Sequence, residues 1–73
     1  MYDFDYLKDG IFNLISDDPD QYDIDPDIPV ADQYTLDSFS TDQNGRPYCH
    51  IKFANDPTWY TATDYGKEIR IEN

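Results

Sequence analysis

The sequence is that of an α+β domain, one short helix packed on a three- or four-stranded antiparallel sheet, on three grounds. Apolar residues recur at helical spacing in the first sixteen positions. A stretch rich in aspartate and proline then interrupts that spacing. After it come short alternating runs separated by turn residues, the pattern of a β-meander.

Phe4, Leu7, Ile11, Leu14 and Ile15 lie three, four, three and one residue apart, so residues 1–16 form one amphipathic helix. Asp3 suits the N-cap and Asp5 the first turn, where a carboxylate meets unpaired backbone N–H groups. Gly10 inside it costs about 1 kcal/mol relative to alanine. Pro19 disfavours a helical Asp18 and marks the end.

Residues 17–33 carry Pro19, Pro26 and Pro29, which exclude a regular helix and a central strand. Tyr22, Ile24, Ile28 and Val30 offer apolar anchors, so the segment is expected to be an extended strap held against the sheet. From residue 34 onward the chain reads as a meander. Residues 34–41 are the first strand, and Asn44-Gly45 lies in the turn that follows. Residues 47–54 place Cys49, Ile51 and Phe53 on one face and Tyr48, His50 and Lys52 on the other. Asn55-Asp56-Pro57 turns the chain into a strand over 59–63, and Asp64-Tyr65-Gly66 turns it into the last, over 68–72, with Ile69 and Ile71 facing the core.

With 73 residues the chain makes a single small domain, and its one cysteine closes no internal disulfide. Large rings must then fill the core, and aromatic residues are 16% of the chain. No basic, apolar leader opens the sequence, and no apolar run approaches membrane-spanning length. The expectation is a soluble protein of a reducing cytoplasm.

Charge dominates the composition. Sixteen acids face five bases, a net charge of −11. Residues 1–33 hold ten Asp against Lys8, a net of −9, whereas residues 34–73 have a net of −2. Such a surface repels nucleic acid and anionic lipid and attracts cationic partners over long range. Fourteen of the sixteen acids are Asp, which competes for backbone hydrogen bonds and favours caps and turns over helix surfaces. The negative charge is therefore expected on loops and element ends.

Catalytic and metal-binding constellations are weak. Cys49 and His50 are strand neighbours whose side chains point to opposite faces, so they cannot form a nucleophile–base pair. His50 is the chain's single histidine. The run from Ser40 to Gly45 partly resembles a calcium loop, but it starts on Ser and its twelfth position is Ile51, without the bidentate Glu. No catalytic residue, metal ligand or cofactor is assigned.

The strap is the expected binding site, through Asp17, Asp18, Asp20, Tyr22, Asp23, Asp25, Asp27 and Asp32. In an extended 23–27 segment, alternate carboxylates would stand about 6–7 Å apart on one side, a pitch of the same order as DNA phosphates. Such a row suits a groove lined by Lys and Arg. Of the tyrosines (Tyr2, Tyr6, Tyr22, Tyr34, Tyr48, Tyr60 and Tyr65), Tyr48 and Tyr60 are expected on the outer sheet face as interface anchors. A strap lying over that face would cover them.

In size, charge and architecture the chain resembles the small acidic inhibitors that phages and mobile elements encode against host nucleases and other nucleic-acid-binding enzymes, some of which imitate DNA. That resemblance implies a non-catalytic inhibitor that blocks a basic nucleic-acid-binding groove, in the host's cytoplasm if a phage encodes it. The alternative expectation is an immunity-type or adaptor protein that binds one protein partner through its aromatic sheet face. The oligomeric state is left open.

Overall fold

Leu7, Ile11 and Ile15 recur every four residues, so a helix stacks them on one stripe. The computed structural model describes residues 3–73 and forms helix α1 over Asp5–Asp17, with all three residues fully buried. Asp3 precedes the helix, and its Oδ1 accepts the Asp5 N–H at 2.9 Å, so the expected acidic cap operates although Phe4 occupies the N-cap position.

Four strands follow as a meander in the order β1 (Tyr34–Thr41), β2 (Pro47–Phe53), β3 (Trp59–Asp64) and β4 (Ile69–Glu72), every neighbouring pair antiparallel. Registers set the faces. Leu36 opposes Ile51, Ile51 opposes Tyr60, Cys49 opposes Ala62, and Ala62 opposes Ile71, so these side chains share the helix-facing side. The buried core joins Leu7, Ile11 and Ile15 to Cys49, Ile51 and Ala62. Gly10 is explained by this packing. A Cβ there would run into Cδ1 of Ile69, so the missing side chain lets α1 approach β4 closely.

The register of β1 against β2 slips between Asp37 and Ser40, and Ser38 sits in the bulge with φ 59°. One extra residue shifts the alternation, which lets Phe39 as well as Leu36 pack against the core. The ring of Phe39 meets that of Phe4 at 5.5 Å, and Lys8 Nζ lies 5.2 Å from its centroid. A left-handed backbone penalises any side chain with a Cβ. Ser38→Gly is therefore expected to raise stability by about 0.5–1 kcal/mol, read from the shift of a chemical-denaturation midpoint.

Residues 17–33 depart from the extended strap. The Ile24 N–H donates to the Pro19 carbonyl at 3.0 Å and Asp23 takes φ 53°, closing a first turn. The Ile28 N–H reaches the Asp25 carbonyl at 3.3 Å, closing a second. A 3-10 helix, η1, then covers Val30–Gln33. Proline excludes long helices and strands, yet it fits turns well, and aspartate supplies their hydrogen bonds. Tyr22, Ile24 and Val30 pack onto the core as expected, whereas Ile28 stays exposed.

Alternating strand direction places loops 42–46 and 65–68 at one end of the sheet and loop 54–58 at the other. The turns of 17–33 join the second end, where the Ala54 N–H donates to the Gln33 carbonyl at 2.9 Å. No helix among the described residues is long and apolar enough to cross a membrane.

Candidate functional site

Gln33 organises the acidic segment. It is the one buried polar residue among those described, and its side-chain amide pairs with backbone in two directions. Its Oε1 accepts the Asp25 N–H at 2.7 Å, and its Nε2 donates to the carbonyls of Asp25 and Ile28, each at 2.9 Å. One side chain thus ties the second turn to the start of β1 and fixes where the neighbouring aspartates project. Asp25 Oδ1 tightens the same turn by accepting the Asp27 N–H at 2.9 Å. The sequence pattern presented Gln33 only as the last residue of a polar stretch.

Apart from Asp5, which pairs with Lys8, and Asp9, exposed on α1, the aspartates divide into two groups. Asp3, Asp25, Asp37, Asp42, Asp56 and Asp64 each accept a backbone N–H from a residue one to four positions on. They build caps and turns, as the aspartate bias of the sequence predicts. Asp17, Asp18, Asp20, Asp23, Asp27 and Asp32 make no hydrogen bond and no ion pair through their side chains, and all are exposed. This second group occupies one end of the molecule. Asp17 and Asp18 also stand at the C-terminus of α1, where the helix dipole disfavours negative charge.

Much of the compensating positive charge is engaged elsewhere. The Tyr65 ring lies between the guanidinium groups of Arg46 and Arg70, 4.9 and 4.5 Å from its centroid. Arg70 Nε also donates to Glu68 at 2.7 Å. Lys8 stands 3.9 Å from Asp5. Lys52 sits nearer the acidic end and directs its ammonium group to the Phe53 carbonyl at 3.4 Å.

The 23–27 segment does not form the row of carboxylates at phosphate pitch. The left-handed backbone at Asp23 and the turn at Asp25–Ile28 break the alternation that such a row needs. The acids cluster around two turns instead. Among the described residues no three His, Cys, Asp or Glu side chains gather in a way that would hold a metal ion.

Beside the first turn lies an open cleft of about 220 Å³. Tyr22, Phe53 and Tyr60 wall it, and Asp23 and Asp56 add carboxylates. Tyr22 stacks on Phe53 at 5.5 Å, and Phe53 meets Tyr60 edge-on at 6.1 Å. The Tyr60 hydroxyl donates to Asp56 Oδ2 at 2.6 Å, while Oδ1 accepts the Thr58 N–H at 2.9 Å. The Tyr60 bond, followed by that from Thr58, holds the Asp56 carboxyl below the usual carboxylate range and pushes the Tyr60 phenol up. Burial, with the Asp18 charge second, raises the Tyr22 phenol. The cleft therefore presents neutral rings beside an ionised carboxylate at neutral pH.

Tyr60 is not on the outer sheet face. It opposes Ile51 and lies two residues from Ala62, so strand alternation puts it on the helix side. The outer face carries Tyr48, His50, Lys52, Thr61 and Trp59, with Trp59 46% exposed. The strap leaves this face open, because its apolar anchors join the helix-side core. Tyr48 and His50 meet there at 6.1 Å between ring centroids. Tyr2 lies outside the described residues.

Cys49 is fully buried, and burial pushes its thiol up to about 11, with Lys8 pulling weakly the other way. About one thiol in a thousand would be ionised at pH 8. Alkylation of the native chain at that pH is expected to run at least about a hundredfold slower than in denaturant, measured by mass spectrometry. Equal rates would show an accessible thiol. No protein-family model, curated protein or solved structure matches the chain, so the chemistry of the acidic end and its cleft is read from these contacts alone.

Proposed function

We propose that this chain acts by binding, and that its acidic end docks on a basic surface of a partner protein. A groove that otherwise holds nucleic acid is the favoured surface, because clustered Lys and Arg are the electrostatic mark of such grooves. The role is that of an inhibitor which keeps nucleic acid out, consistent with the mobile-element inhibitors that the chain resembles. One observation carries the proposal: Asp17, Asp18, Asp20, Asp23, Asp27 and Asp32 do nothing for the fold, yet they crowd one ordered end of it. Charge that repels itself and opposes a helix dipole is a local conflict of the kind proteins keep at functional sites.

Competition tests this. The chain is added to fluorescent duplex DNA bound to each of a panel of basic nucleases and DNA-binding proteins, and anisotropy is followed at rising salt. Displacement should occur for a subset, weaken steeply with ionic strength, and be lost when Asp17, Asp18, Asp20 and Asp27 are all changed to Asn. Equal displacement by that variant would remove the proposal.

A second reading rests on the open face. Exposed Trp59, opposite Lys52 on the face that also carries the Tyr48–His50 pair, gives this face the composition of an interface hot spot, which suits an immunity-type or adaptor role. Under it, Trp59→Ala or Tyr48→Ala abolishes partner binding and the four Asp→Asn changes do not.

A further inference from the structure

We infer, building on the proposed docking of the acidic end, that the cleft between the first turn and loop 54–58 receives the guanidinium group of an arginine on the partner's surface. The receptor atoms are those of Asp56. Its two oxygens each accept one hydrogen bond from within the chain, at 2.9 Å from the Thr58 N–H and 2.6 Å from the Tyr60 hydroxyl. The Thr58 hydroxyl bonds the same carboxylate, and of its roughly four lone-pair sites one is left for an outside donor. These internal bonds lock the plane of the group, and a guanidinium N–H can add a charge-assisted hydrogen bond at the remaining site.

The walls fit the same occupant. Tyr22, Phe53 and Tyr60 give the cleft an aromatic lining, and an arginine side chain stacks on rings while its weakly hydrated head pairs with carboxylate. Asp23 adds a second negative charge to the cleft. A lysine would bring a compact, strongly hydrated charge that stacks less well on rings, and a neutral apolar group would add nothing to the Lys52 charge that already acts on Asp56. This chain supplies no occupant of its own. Arg46 and Arg70 flank Tyr65 at the far end, and Lys52, whose charge acts on Asp56, does not line the cleft and directs its ammonium group to the Phe53 carbonyl.

The test is an NMR titration of the full ¹⁵N-labelled chain with N-acetyl-arginine methylamide, and with its citrulline and lysine counterparts. The arginine compound should shift amides of residues 21–24 and 53–60 saturably. Citrulline, the neutral isostere, should not saturate, and lysine should bind more weakly. Asp56→Asn, which keeps an acceptor for the Thr58 turn, should lower arginine affinity by roughly tenfold, and Tyr60→Phe by less. Equal responses to arginine and citrulline, shifts spread over every acidic loop, or undiminished binding in Asp56→Asn would each overturn the site. The variant with Asn at positions 17, 18, 20 and 27 separates the two proposals, since none of those residues lines the cleft. If its arginine response persists while DNA displacement is unchanged from the parent chain, the docking of the acidic end fails and the guanidinium site survives. If displacement is lost in that variant while the parent cleft ignores arginine, the reverse holds.

Discussion

Gln33→Leu is expected to lower stability by about 2–4 kcal/mol and the melting temperature by roughly 10–20 °C. The side chain is buried, so leucine keeps the apolar contact and removes only the polar one. Three backbone groups lose their partner together: the N–H and carbonyl of Asp25 and the carbonyl of Ile28. Each buried group left unsatisfied costs about 1–3 kcal/mol, and partial access to water brings the sum toward the lower end. A chain of 73 residues has only about 4–10 kcal/mol to lose. Local consequences should precede global ones. The Asp25 amide should exchange with solvent much faster in the variant, while amides of β2 change only by the global loss. Gln33→Glu distinguishes the bonds from the packing, because it keeps the shape and removes both donated bonds. Exchange at Asp25 and a melting temperature that both match the parent chain would show that the amide does not hold the turns.

Changing Asp17, Asp18, Asp20 and Asp27 to Asn should move stability and binding in opposite directions. The net charge falls from −11 to −7. None of the four side chains takes part in a hydrogen bond or ion pair, so no contact is lost. Two of them oppose the dipole at the end of α1, where an unfavourable charge is worth about 0.3–1 kcal/mol. The variant should therefore gain about 1–2 kcal/mol at low ionic strength, and the gain should shrink in 0.5 M salt as screening shortens to a few ångströms. Over the same change, affinity for a basic partner should fall by roughly a hundredfold or more. Denaturation midpoints and anisotropy at two salt concentrations measure both. A variant that is less stable than the parent would mean that these carboxylates have a structural task after all, and the case for a binding role would lose its support.

Local chemistry accounts for the features legible in the chain's order of residues. Apolar spacing marks α1, strand alternation and turn residues mark the meander, and the preference of aspartate for turns marks most loops. These signals are legible because each depends on neighbours within a few positions. The concentration of charge in residues 1–33 is likewise a property of the chain.

Features that depend on distant partners were set by packing between elements. Proline content excluded helix and strand for residues 17–33 without choosing between an extended path and turns, and the choice fell to Gln33, whose buried amide closes contacts eight residues back. Gly10 is a cost to an isolated helix and a necessity beside Ile69. Tyr60 finds its task only when loop 54–58 brings Asp56 to its hydroxyl and β2 brings Phe53 to its ring. Sequence periodicity reports which way a side chain faces; hydrogen bonds and close contacts between elements depend on where the elements meet, which no local pattern encodes.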